Sequence, residues 1–134
     1  MAYAADNKIN CLCNILIKDL PAGQNNTIPD AFKNEQVIAT CDEKGLEECK
    51  KFCVNTEKEK TNGDLTKESK SVKGKNYGQL LCETMNNGKP LNIDKKTLTL
   101  EAQIRCVDNT AKKVDTGVVL KDQLTCKEQK FVKA

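Results

Sequence analysis

The clearest pattern in the chain is an alternation. From Lys8 to Lys18, the odd positions are Ile9, Cys11, Cys13, Ile15 and Ile17, and the even ones are Lys8, Asn10, Leu12, Asn14, Leu16 and Lys18. A period of two with β-branched residues predicts a strand with one apolar face in the core and a mostly polar face outside. Both cysteines then share the buried face, ~6.8 Å apart along the strand. A disulfide brings Cβ atoms to ~3.8 Å, so these two do not bond each other and the strand is tied to other parts of the chain.

A second alternation sets Leu98, Leu100, Ala102, Ile104 and Cys106 against Thr99, Glu101, Gln103 and Arg105. Asp108-Asn109 opens a connection that ends at Asp115-Thr116-Gly117. Val118, Leu120, Leu124 and Cys126 then resume the period, with Asp122 marking an edge or bulge. These two strands predict an antiparallel hairpin. Gln36 to Thr40 is a short apolar piece leading to Cys41, either a brief strand or a tethered approach to a helix.

Helical spacing occurs twice. Asp42 is a capping residue with Glu43 behind it, and Leu46, Cys49 and Cys53 fall at i, i+3 and i+7 on one face. Glu47, Glu48, Lys50 and Lys51 point away. Tyr77, Leu80, Leu81 and Met85 form a second helical stripe with Cys82 among them, stopped by Asn87-Gly88 and Pro90. Between the helices, residues 55–76 are almost wholly polar, with Leu65 and Val72 as the aliphatic exceptions, which predicts a mobile loop or a solvated helical extension. Asp19 to Gln36, with Pro21, Gly23 and Pro29, reads as a long loop. It carries Asn25-Asn26-Thr27, which makes Asn25 a candidate glycosylation site.

The expected fold class is therefore α+β: a small antiparallel sheet of about three strands, two helices packed on its cysteine-bearing face, and four disulfides. Residues 1–6 read as a leader remnant or expression scar, and 7–134 as one disulfide-rich domain.

Composition explains why disulfides are needed. Of 134 residues 31% are charged and 4% aromatic, with no Trp, so the core is thin for the chain length. Cys11, Cys13, Cys41, Cys49, Cys53, Cys82, Cys106 and Cys126 are an even set without a Cys-x2-Cys pair or any histidine, which argues for four disulfides and an oxidising, extracellular compartment over zinc or thioredoxin-type chemistry. A helix rises ~6.0 Å over four residues. It can therefore meet both strand cysteines, and at least one of Cys11 and Cys13 is expected to bond Cys49 or Cys53. Cys41, Cys82, Cys106 and Cys126 are left to secure the second helix and the hairpin.

Without histidine, Ser-His-Asp and Cys-His catalysis are excluded. Eight cysteines at this length are shared with animal lysozymes, but apart from Asp122 the acids lie in polar settings that would not raise a pKa for acid catalysis. No catalytic, cofactor or metal residue is assigned. The net charge of +3 comes from lysines interspersed with acids, a solvated surface and not a nucleic-acid stripe. No apolar run approaches the ~20 residues of a membrane span.

The Cys49-x3-Cys53 helix resembles one motif of insect odorant-binding proteins, although their Cys-x8-Cys element is absent here. That resemblance implies a hydrophobic-ligand carrier, a reading that a cavity lined by Leu12, Leu16 and Tyr77 would favour. More of the chain is matched by another family. The order Cys11-x-Cys13 on a strand, Cys41, Gly45-x3-Cys49-x3-Cys53, Leu81-Cys82, Ile104-x-Cys106 and Cys126 resembles the secreted insect family named for follicle cell protein 3C. No Trp follows Cys106 and the 55–76 insert is long, which departs from that family. The resemblance implies a secretory product of ovary or saliva, with no catalytic residues to carry over. The expectation is a secreted, monomeric, non-enzymatic interaction protein with a protein partner, such as a salivary effector acting on a host protein or an eggshell component.

Overall fold

A computed structural model describes residues 9–20, 26–28, 31–32, 36–38, 40–69, 73–86, 92–107, 110–128 and 130–132. In chain order the elements are β1 (Ile9–Ile17), β2 (Thr27–Ile28), β3 (Gln36–Ile38), α1 (Glu43–Lys60), α2 (Tyr77–Asn86), β4 (Ile93–Lys96), β5 (Leu98–Arg105), β6 (Ala111–Val119), β7 (Leu124–Lys127) and β8 (Lys130–Phe131). The leader reading of residues 1–6 and the Asn25 acceptor lie outside the described residues.

This corrects the expected three-stranded sheet. Among the described residues eight strands form two sheets, one of five strands ordered β2-β1-β5-β6 with β3 also paired to β1, and one of three ordered β4-β7-β8. Three features of the sequence hid the extra strands. The stretch read as a connection is β6: its Lys112, Lys113 and Asp115 lie on an exposed edge strand whose half-buried residues are only Val114, Thr116 and Val118. The last alternation is split, since Val118 and Leu124 belong to different sheets with a turn at 121–122 between them. The short strands β2, β4 and β8 have two to four residues, too few to show a period.

The long strands follow their alternation. β1 pairs antiparallel with β5 over eight residues, from Asn10 opposite Arg105 to Ile17 opposite Leu98. Ile15, Ile17, Leu98, Leu100 and Ile104 are all at most 1% exposed beneath α1. The second face of β1 is drier than expected, because Leu12 and Asn14 are buried as well.

α1 begins where Asp42 accepts the Gly45 N–H at 3.0 Å and the Thr40 hydroxyl at 2.7 Å. Gly45 is obligatory, since a Cβ there would run into the Thr40 carbonyl. The helix offers the sheet Cys49, Cys53 and Thr56 with Leu46 and Phe52 at the margin, so sulfur stands where most helices place Leu or Ile.

The second helix does not share that position. α2 packs on β8 and β2 and is bonded through Cys82 to Cys126 on β7, so only α1 lies over the cysteine face of β1. The stretch 55–76 is likewise divided. Residues 55–60 continue α1, and the turn at 61–66 is pinned down: Glu57 accepts the Thr61 hydroxyl and the Gly63 N–H, and Asp122 accepts the Leu65 N–H at 2.9 Å. Leu65, one aliphatic in a polar run, is fully buried.

Candidate functional site

The first grouping with chemical character is sulfur. Cys11 bonds Cys49 and Cys13 bonds Cys53, so both strand cysteines meet both helix cysteines at Cα separations of 5.4 and 5.3 Å. The match arises because two residues of strand and one turn of helix advance by nearly the same length. The two bridges lie side by side, with the sulfurs of Cys11 and Cys53 4.0 Å apart and all four residues at most 2% exposed. Cys41 bonds Cys106, joining the segment before α1 to the end of β5, and Cys82 bonds Cys126. The sulfurs of Cys11, Cys13 and Cys53 are close enough to hold a metal as thiolates. As disulfides they have no thiolate to offer, so in the oxidised chain the cluster is a cross-link.

The second grouping is the outer face of the large sheet, turned away from α1. Asn14 is 1% exposed there and donates to Gln103 at 2.8 Å and Glu101 at 3.1 Å on β5. Burying an amide is tolerable only with partners, and β5 supplies two of them across the strand pair. Toward one end of this face the row Val37, Asn10, Arg105 and Ala111 crosses four strands in register, with Val107 beyond it. Val37 is 57% and Val107 48% exposed, two aliphatic side chains in water.

The third is a cleft of about 500 Å³ on the small sheet, lined by Ile93, Thr125 and Cys126 at its floor and by Asn92, Asp94, Lys127 and Glu128. Its polar wall is tied together, Thr125 Oγ1 accepting the Lys95 N–H and Asn92 the Glu128 N–H, each at 3.1 Å.

The residues proposed to line a carrier cavity are separated. Leu12 and Leu16 sit on the outer face, whereas Tyr77 is buried in the main core, its ring edge-on to Phe32 at 6.0 Å. The Tyr77 hydroxyl is buried without a hydrogen-bond partner. Asp122, the acid singled out in the sequence, holds a backbone N–H at a loop junction, which is a structural task.

Two carboxyls have their proton affinity lowered. Asp42 is held below the ordinary carboxylate value by the Gly45 N–H and the Thr40 hydroxyl, and Glu83 by hydrogen bonds from Lys75 and Gln79. A carboxyl held low is ionised at neutral pH, which is the reverse of what a glycosidase acid requires. The buried Asn14 network was missed in the sequence because one Asn on a polar face carries no signal until the strand register is known.

No protein-family model, no curated protein and no solved structure matches this chain. Among the described residues no helix is long and apolar enough to cross a membrane.

Proposed function

We propose that this chain is an extracellular, disulfide-locked, non-enzymatic domain that acts by presenting its surface to a protein partner. The observation that carries the reading is how the interior is filled. The space between α1 and the large sheet, where a carrier would hold its ligand, is occupied by two disulfides and by Ile15, Leu100 and Ile104, all nearly inaccessible. Every cysteine is consumed in a bridge, which suits an oxidising compartment. The cysteine order resembles that of the secreted insect family named for follicle cell protein 3C, and on that resemblance the partner is a host protein met by a salivary effector or a component of an eggshell.

The cleft beside Ile93 is the observation favouring a second reading, a carrier of a small hydrophobic ligand. One set of measurements separates the two. The oxidised protein, made through a secretory pathway, is tested for displacement of a fluorescent hydrophobic probe and for co-purifying small molecules by native mass spectrometry. It is also tested for saturable binding to extracellular proteins of host tissue or eggshell, with unlabelled protein as competitor and an Arg105→Glu variant as a surface control. Saturable, competed protein binding without probe displacement is expected. Stoichiometric probe binding that an Ile93→Trp variant abolishes would overturn the interaction reading in favour of the carrier.

A further inference from the structure

One edge of the large sheet is an exposed strand. β6 runs for nine residues at the end of the strand order and, among the described residues, pairs only with β5. The register settles which of its backbone groups are free. Lys18 bonds Thr97 and Cys106 bonds Thr110 through their backbones, so the odd residues of β5 face β1 and the even ones face β6. Lys112 and Val114 therefore bond inward to Ile104 and Ala102, and Ala111, Lys113 and Asp115 turn their N–H and C=O groups outward along the free edge.

Lysines on an edge strand ordinarily deter pairing. Two further features set β6 apart. Glu101 and Asp115 are direct cross-strand neighbours, so two carboxylates face each other on the outer surface, where like charges are unfavourable. Neither has an ion pair: the salt bridge among the described residues is Lys75 to Glu83, and these acids accept only from Asn14 and the Gly117 N–H. A cation is wanted beside Asp115. The second feature is that Lys113 stands two residues away, on the same face and exposed.

We infer that two copies associate through β6 in an antiparallel, two-fold pairing centred on Val114, which joins the two large sheets into one. In this register Lys113 lies opposite Asp115 of the second copy and Asp115 opposite its Lys113, both in edge positions whose N–H and C=O groups are free to bond. Each copy thereby delivers an ammonium to the acid pair of the other. Val114 meets its own counterpart on the helix side. Ala111 falls opposite Gly117, where the surface is open. Centring on Lys113 or on Asp115 would set like charges together, and only the Val114 register matches both. An isologous contact of this kind closes after two copies.

The test uses the full oxidised chain in sedimentation equilibrium across about 1 μM to 1 mM. A reversible monomer–dimer equilibrium is expected. Lys113→Asp sets acid against acid twice over, and Asp115→Lys sets lysine against lysine. Each should raise the dimer dissociation constant at least about tenfold, because two attractive cross-strand pairs turn repulsive together. The double variant Lys113→Asp/Asp115→Lys restores both pairs in swapped form and should recover the wild-type constant to within about threefold. Circular dichroism and non-reducing peptide mapping confirm that each variant is folded. A wild-type chain that stays monomeric throughout would overturn the pairing. So would dimerisation indifferent to either single change, or a double variant no tighter than the singles. The interaction reading does not depend on this outcome, since the outer-face and cleft measurements are made on monomer or dimer alike.

Discussion

In the large sheet, β1 sends two cysteines to one helix, and the Cys41–Cys106 bridge closes the same half at the far end of β5. In the small sheet one bridge, Cys82–Cys126, joins α2 to β7, and the longest strands have four residues. Bridge for bridge the sequence separations are nearly equal, 44 for that one and 40 for Cys13–Cys53, so loop-closure entropy is nearly the same for each of these two. What differs is what surrounds the sulfur. Around the paired bridges an eight-residue ladder and a row of inaccessible aliphatic side chains hold the same register that the disulfides need. Around Cys82–Cys126 the aliphatic side chains Leu81, Ile93 and Leu124 are buried too, but the strands are short, each pairing through two residue pairs, with the Phe131 N–H bonded to Gln79 and the Phe131 ring against Gly78. Covalent cross-links of similar reach are thus set in unequal backbone ladders, and local stability should be uneven across one chain.

The sharpest way to break that comparison is to remove bridges from each side. Replacing all four of Cys11, Cys13, Cys49 and Cys53 by Ala should abolish cooperative folding, because each bridge is worth about 2–5 kcal/mol in a domain whose whole stability is about 5–15 kcal/mol. Cys82→Ala/Cys126→Ala should cost about 2–5 kcal/mol yet leave β1 and β5 folded. Hydrogen exchange reads the difference. Protection of β1 and β5 amides should survive in the second variant while α2 and β7 lose theirs, and uniform loss across both sheets would show a single cooperative unit.

Two of the closely packed glycines, one at the start of each helix, sharpen it. Gly45→Ala drives a methyl group into backbone, the Thr40 carbonyl, and Gly78→Ala drives one into the Phe131 ring. A half-buried ring can swing aside and a carbonyl at a helix start cannot. Each change should cost about 1–3 kcal/mol, Gly45→Ala at the upper end. Phe131→Leu should recover part of the Gly78→Ala loss and none of the Gly45→Ala loss. Denaturant melts of the four variants decide it, and equal costs without selective rescue would count against the assignment.

Asp122 connects the regions, since it bonds Leu65 N–H below α1 and precedes β7. Asp122→Ala should cost about 1–3 kcal/mol by leaving that donor unpaired, and Asp122→Asn should retain most of it. If Ala and Asn behave alike in thermal melts, the hydrogen bond is not what Asp122 contributes.

The smallest effect is with pH. Glu83 of α2 and Asp42 before α1 both bind protons less readily folded than unfolded. The stability each adds is present above the unfolded carboxylate pKa of about 4 and is lost as pH falls through the lower folded value. Asp42 is exposed and the Lys75–Glu83 pair half-exposed, so the loss should be slight and, for that pair, reduced by salt. Glu83→Gln should flatten the acid limb of the melting curve of the α2 region. An acid limb unchanged by Glu83→Gln would remove the pair from the account.

Much of the candidate surface was hidden in the sequence for a reason visible in β6. An edge strand in water has no need of a continuous apolar face, so Lys112, Lys113 and Asp115 look like a charged connection until β5 is seen beside them. Asn14 shows the same gap, because its partners Glu101 and Gln103 are 87 and 89 residues away. Leu65 stands almost alone in a polar run, yet one leucine suffices where Asp122 holds its backbone N–H.

The sequence by itself determined the two long strands with opposed faces, the α1 boundary at Asp42, and the stapling of a strand to a helix by paired cysteines. Each of these follows from periods of 2.0 and 3.6 residues and from the reach of a disulfide, all of which act over a few neighbouring positions. Only the tertiary structure decided that there are two sheets, that α2 packs on β8 and β2 and not over the cysteine face of β1, and that Cys41 bonds Cys106 while Cys82 bonds Cys126. Short strands and exposed edges take their conformation from the neighbour they bond to, and no local period records which neighbour that is.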